Sequence, residues 1–318
     1  VSPFDFRAAR AFHFIDHLPT AVMTFAVVGG VAAYAREMVD NDLPRTPEDF
    51  DRWICERVIA PGRPLLGEME LLLSEDPATA RNRKPNLYHA TLAAVAQGCH
   101  TWSSITKYVG TSGSSLLAVM NTLLAAELVA RVEDPVRTNR ALYQPIDPFL
   151  RFHYAIIRRN PKLARMSTDT RAAWQELIPT FRSLVLGPCF EWMAREWVTA
   201  MADASTVGGT PTHVGVTTIL TGTDGEQQID VVAATDSGGT TPEERTINVL
   251  GEAKVGETMA MKHLRRLESA RAHFGERAAD AKLLFFGGTF DDALLAEAER
   301  RRDIEIVDLE RLYDGVAL

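Results

Sequence analysis

Two apolar stretches, Gln228-Ile229-Asp230-Val231-Val232 and Leu250-Gly251-Glu252-Ala253-Lys254, constrain the fold most, because each carries charge where a strand interior should carry none. β-Branched residues mark both as strands, and side chains alternate along a strand, so Glu252 and Lys254 share one face of the sheet. Asp230 can join them there from a neighbouring strand. Ile247, Val249 and Leu250 make the second stretch apolar on both faces, as in a central, covered strand. Burying three charges in such a place is costly unless they are paired or used. The plainer alternative is a Glu252–Lys254 salt bridge on an edge strand, with Asp230 an isolated polar residue beside a turn.

The surrounding pattern predicts an α/β arrangement with a mixed sheet. His213 to Leu220, Gln227 to Ala234 and Thr246 to Lys254 read as strands, separated by Thr223-Asp224-Gly225 and Ser237-Gly238-Gly239. A helix from about Glu257 to Phe274 follows, then strand Lys282 to Phe286, helix Asp291 to Arg302 and strand Ile304 to Val307. Upstream, Trp174 to about Ala202 is mostly helical, interrupted near Gly187-Pro188, and carries Glu191.

From Pro3 to about Ser74 the apolar residues recur at helical spacing, and Thr46-Pro47-Glu48-Asp49 reads as a helix start with Thr46 as cap. A basic hinge, Arg81-Asn82-Arg83-Lys84-Pro85, leads to helices over Leu87 to Ala96 and Thr101 to Val109. The turn Gly110-Thr111-Ser112-Gly113 opens a third helix, Ser114 to Glu127, before strands Val129 to Val132 and Ala141 to Ile146. That order is a winged helix-turn-helix. Its third helix offers Ser, Asn and Thr but no Arg or Lys, poor equipment for reading base edges. Arg131, Arg137 and Arg140 on the wing, with Arg151, Arg158, Arg159, Lys162 and Arg165 in the acid-free stretch between Asp147 and Asp169, could instead grip DNA phosphates without regard to sequence. A winged helix that docks protein is the alternative.

The net charge of -8 excludes wholesale nucleic-acid coating and leaves any such contact to a local patch. Cys55, Cys99 and Cys189 form no CxxC pair and give no zinc framework, and no signal-peptide pattern or unbroken apolar run of membrane length stands in the sequence. A cytoplasmic protein is expected. His13 and His17 have zinc-pair spacing with no identifiable third ligand. Lys262, Arg265, Arg266 and Arg271 read as a solvated helix face that could approach DNA.

Several segments carry a family resemblance: Gly29-Gly30-Val31-Ala32-Ala33-Tyr34, the run Tyr143-Gln144-Pro145-Ile146-Asp147-Pro148-Phe149-Leu150-Arg151-Phe152, Phe190-Glu191, Ile229-Asp230-Val231-Val232-Ala233 and Gly251-Glu252-Ala253-Lys254. Their order resembles the C-terminal half of archaeal and bacterial AAA/STAND-type ATPases. Ala32-Ala33 replaces a usual Pro-containing pair and Ala253 stands where Cys is common; neither change removes a ligand. The resemblance implies an α+β multidomain chain: a helical lid-like domain (1–80), a winged helix-turn-helix (81–150), a basic helical linker (151–180) and a PD-(D/E)XK restriction-endonuclease-like domain with a mixed sheet (181–318). It further implies Asp230 and Glu252 as ligands of Mg²⁺ (or Mn²⁺), Lys254 orienting or deprotonating the attacking water, and Glu191 adding an oxygen or an outer contact. DNA is the implied partner. The chain has no GxxxxGK[ST] and begins with Val, so the expected nucleotide-binding half precedes it in a longer parent, a standalone remnant being the alternative. A catalytically silent regulatory module is the alternative to a nuclease.

Overall fold

A computed structural model describes residues 3–68, 85–111, 113–221 and 225–315. The expected hinge residues Arg81-Asn82-Arg83-Lys84, Ser112 of the expected turn, and Thr223-Asp224 lie outside them. The fold is α+β, with a two-stranded and a five-stranded sheet. Its contacts divide into two units: Val1–Val132 with Leu142–Pro188, and Glu133–Ala141 with Cys189–Leu318.

The first unit is mainly helical. Its early helices are α1 (Phe6–His13), α2 (Leu18–Val28) and α3 (Pro47–Trp53). Asp5 caps α1 through the Ala8 amide, and Thr46 caps α3 through the Asp49 amide with Pro47 in the first turn, as the local sequence predicts. Gly30 is required by a close approach: a Cβ there would fall 1.9 Å from the Phe4 carbonyl oxygen. Next come α4 (Pro85–Ala96), α5 (Trp102–Val109) and α6 (Ser114–Ala125), then β1 (Val129–Glu133) and β2 (Ala141–Pro145) in the two-stranded sheet. Asp147 caps α7 (Pro148–Phe152), and Asp169 caps α8 (Thr170–Phe181).

Between α8 and α9 (Gly187–Ala200) the helical path continues through a π turn, Arg182–Leu186, instead of breaking at Gly187-Pro188. Pro188 has no N–H to donate into the ladder. Widening the turn by one residue, so that the Gly187 amide donates to the Arg182 carbonyl, keeps the chain helical on both sides.

The second unit is built on the five-stranded sheet, in the order β3 (His213–Thr221), β4 (Gly225–Thr235), β5 (Thr246–Met259), β6 (Lys282–Phe290) and β7 (Ile304–Val307). β3, β4 and β5 pair antiparallel, whereas β5, β6 and β7 pair parallel through the crossover helices α10 (Met261–Phe274) and α11 (Asp292–Arg300). The strand apolar on both faces, β5, is the middle one. Leu264, Leu267 and Ala270 of α10 pack with Ile229, Leu250, Leu283 and Phe285 in one core. Trp197 of α9 packs edge-on against Phe286, and its indole donates to the Arg311 carbonyl of α12 (Leu309–Asp314). The helix expected from about Glu257 begins only at Met261, because Thr258 and Met259 re-pair with Thr289 and Phe290 on β6.

The loop between β1 and β2 belongs to this second unit. Val136 is fully buried in the sheet core, and the buried Asp134 accepts from the Thr217 hydroxyl at 2.6 Å and the Val136 amide at 3.0 Å. Gly215 makes room for the loop, since a Cβ there would stand 2.9 Å from the Glu133 carbonyl and from Pro135. Among the described residues no single helix is long and apolar enough to cross a membrane.

Candidate functional site

Antiparallel register brings the charges together. Val231 pairs with Gly251, and one further step along both strands sets Asp230 beside Glu252. Asp230 also sits at a β-bulge: Gly215 pairs with Val232 and Thr217 with Ile229, so two steps on β3 span three on β4, and the extra residue falls at Asp230–Val231. Bulges of this kind re-aim a side chain and recur beside active sites. On β5 the ladder to β6 loosens directly after Lys254, where four steps to Thr258 match two on β6 from Gly287 to Thr289.

The Lys254 ammonium lies between the two carboxylates, 2.8 Å from Asp230 Oδ2 and 3.0 Å from Glu252 Oε1. Asp230 Oδ2 also accepts from the Ala253 amide at 3.1 Å, and Oδ1 accepts from the Gln228 side-chain amide at 3.1 Å. That amide reaches Glu191 Oε2 at 3.3 Å, which ties α9 to the strand pair. Arg195, one helical turn beyond Glu191 and buried, donates to the Asp230 carbonyl at 2.8 Å. Arg266 of α10 lies 3.3 Å from Glu252 Oε1 and donates to the Gln228 carbonyl at 3.1 Å. The site thus sets three acids, Glu191, Asp230 and Glu252, among three bases, Arg195, Lys254 and Arg266.

Burial separates the members. The side chain of Glu252 is fully buried and that of Asp230 is 4% exposed, whereas Lys254 is 27% and Arg266 40% exposed. Both cations stand at Glu252 Oε1, and Oε2 has no hydrogen-bond partner. Distance alone satisfies charge but not the lone pairs, so the carboxylate is electrostatically paired yet poorly solvated. Burial and the Asp230 charge push the Glu252 carboxyl above its usual range, opposed by Lys254 and Arg266. Burial works to lower the Lys254 pKa, but the charges of Asp230 and Glu252 outweigh it and hold the ammonium well above the ordinary lysine range. In this arrangement Lys254 is a locked cation and cannot take a proton from water.

Among the described residues no set of three or more His, Cys, Asp or Glu side chains forms a ready metal-binding group. Asp230 and Glu252 nevertheless converge on one point, held by an ammonium. Glu191 approaches through Gln228.

The expected phosphate-gripping residues have different surroundings. In the first unit Arg131, Arg158, Arg159 and Arg165 are exposed, with Arg158 over the Tyr154 ring at 5.9 Å. Arg151 is buried and presents no charge to solvent, and Lys162 pairs with Glu176 at 2.9 Å. In the second unit Arg140 is exposed and Arg137 half-buried, both close enough to favour the charged form of Asp134. His13 is buried and His17 caps α2 through the Thr20 amide, so neither histidine faces a shared ligand.

Sequence reasoning gave no role to Gln228 or Arg195 and placed Arg266 on a solvated face. Period-two spacing from Asp230 and i+4 spacing from Glu191 were the available signals for the first two. Nothing local distinguishes Arg266 from Arg265.

No family model matches the chain, and no curated protein matches it. The crystal structure of protein VC1899 from Vibrio cholerae is similar at 15% identity, over 82% of this chain and 58% of that one, with a TM-score of 0.24. The chain therefore spans somewhat over half of that protein's length, and likeness at this level carries no argument about function.

Proposed function

We propose that the second unit is a metal-dependent phosphodiesterase module of the PD-(D/E)XK type acting on DNA. The observation that carries this reading is the convergence of Asp230, Glu252 and Lys254 at a β-bulge in the covered centre of a mixed sheet. The residues present fit a divalent ion: two buried carboxylates converge, and Oε2 of the fully buried Glu252 has no hydrogen bond. Asp230 and Glu252 would hold Mg²⁺ or Mn²⁺, with Glu191 adjoining through Gln228. When bound, the ion would polarise the phosphate and acidify a bound water. The chain's own residues do the rest. Lys254, which stands between Asp230 and Glu252, would orient the attacking water against the phosphorus once those carboxylates hold the ion. The water oxygen forms the new P–O bond, one ester P–O bond breaks, and the water's proton ends on the leaving oxygen.

The winged-helix reading of 81–150 is supported by the order of three helices and two strands among its described residues. The larger-ATPase reading is supported by the Gly29–Tyr34 and Tyr143–Phe152 resemblances, which the first unit brings into contact at Gly29 and Asp147. Exposed Arg158, Arg159 and Arg165 suit phosphate contacts.

Incubation of plasmid with the protein and Mg²⁺ or Mn²⁺ is the test. Wild type should nick or linearise it, and Asp230→Ala and Lys254→Ala should each lower the rate by about 10² or more. Cleavage unchanged in both variants removes the assigned site. A second reading, a catalytically silent docking module, is favoured by one observation: the two carboxylates already have Lys254 and Arg266 as counter-ions. Failure of wild type to bind divalent ions at millimolar concentration in calorimetry would select it.

A further inference from the structure

Four cations lie on α10, and the structure separates one from the rest. Lys262 pairs with Glu257, Arg271 with Asp303 at 2.7 Å, and Arg265 is exposed on the surface. Arg266 alone of these four reaches the site, with one terminal nitrogen 3.3 Å from Glu252 Oε1 and the other donating to the Gln228 carbonyl at 3.1 Å. Its side chain is still 40% exposed, so the guanidinium bridges the sealed carboxylate and solvent.

Those two contacts are unlike in kind. The Gln228 carbonyl is a backbone group fixed in β4 and will accept the same N–H whatever else is bound. The Glu252 contact is electrostatic and lasts only while that carboxylate needs a counter-ion. A divalent ion on Asp230 and Glu252 would take over that task and would repel a guanidinium at 3.3 Å from the same oxygen. A guanidinium has five N–H groups in a rigid fork that matches a phosphate edge, so release from Glu252 leaves a preformed phosphate receptor tethered at the site mouth.

We propose that Arg266 is a substrate-binding residue of this site: it serves as counter-ion to Glu252 in the metal-free state and transfers to a non-bridging oxygen of the phosphodiester when metal binds. This rests on the nuclease reading above. The exchange makes metal and substrate binding mutually favourable, because each removes a competitor from the other.

Arg266→Gln and Arg266→Lys test it beside wild type, with Arg265→Gln as a neighbouring surface control. Calorimetry with Mn²⁺ in the absence of DNA should show Arg266→Gln binding at least as tightly as wild type, about threefold tighter if competition dominates. Binding of a mixed-sequence DNA duplex in Ca²⁺ should weaken, and its logarithmic salt slope should fall by about one. In plasmid cleavage, KM should rise about tenfold, with partial rescue by Arg266→Lys and none of these changes in Arg265→Gln. Metal affinity falling together with DNA affinity would show a merely structural role and overturn the proposal. Wild-type KM and salt slope in Arg266→Gln would overturn it as well, while wild-type cleavage leaves the nuclease reading standing. If wild type itself neither binds Mn²⁺ nor cleaves, the nuclease reading fails and this proposal fails with it.

Discussion

Lys254 contributes on two accounts, and they pull apart when the residue is changed. Its ammonium compensates two buried carboxylates, and removing one partner of a buried ion pair typically costs about 3–5 kcal/mol because the remaining charge is left bare. Lys254→Met should therefore be strongly destabilised without metal, and millimolar Mn²⁺ should raise its Tm by more than it raises that of wild type. A thermal melt with and without Mn²⁺ reads this directly; equal shifts in the two proteins would show that the ion does not take the ammonium's place. The pH sign differs between the partners. The Lys254 pKa is raised, so its stabilising contribution is fully present at neutral pH and lost only as pH climbs through the folded value above the ordinary lysine range. The Glu252 pKa is also raised, so its contribution is present in acid and declines as pH rises through its folded value.

At the scale of elements, two joints organise the chain. In the second unit the loop between β1 and β2 is anchored by Asp134 and Val136, so its tip is part of the sheet domain's core. In the first unit Asp147 joins the Gly29–Tyr34 segment to the start of α7: its carboxylate accepts the Phe149 amide at 2.8 Å and the Tyr34 hydroxyl. Burial raises its pKa to about 6, against the opposing pull of those two donors. A raised carboxyl pKa means stability fully present below about pH 4 and lost as pH rises to about 6. Asp147→Asn, which keeps a cap, should flatten that dependence and gain on the order of 2 kcal/mol relative to wild type between pH 4 and 7. Urea melts across that range check it, and parallel curves for the two proteins would refute it. Caps and strand alternation were legible in the sequence because they depend on a few neighbours: Thr46, the strand order and the covered nature of β5 follow from local chemistry. The bulge at Asp230, the re-pairing of Thr258 and Met259 with β6, and the burial of Arg151 depend on partners distant in the chain. No local pattern encodes them. The site was legible as Asp230, Glu252 and Lys254, but the network of Gln228, Arg195 and Arg266 around it was not, because register and crossover, not spacing, bring those side chains together.

For the molecule as a whole, the net charge of -8 sets a condition on any encounter with DNA: attraction must be local, short-ranged and sensitive to salt. The exposed arginines of the first unit and Arg266 of α10 meet that condition separately, each within its own unit. The candidate site adds little net charge of its own, since Glu191, Asp230 and Glu252 face Arg195, Lys254 and Arg266. A divalent ion would make it positive, and an anionic phosphodiester would then restore balance. The catalytic reading therefore depends on one exchange, an ion for an ammonium between Asp230 and Glu252. Anomalous diffraction from crystals soaked in Mn²⁺ tests that exchange most directly. A peak within coordinating distance of both carboxylates is expected, with the Lys254 ammonium moved away from the point midway between them. A site with no peak at saturating Mn²⁺, and with Lys254 still bridging Asp230 and Glu252, would contradict it.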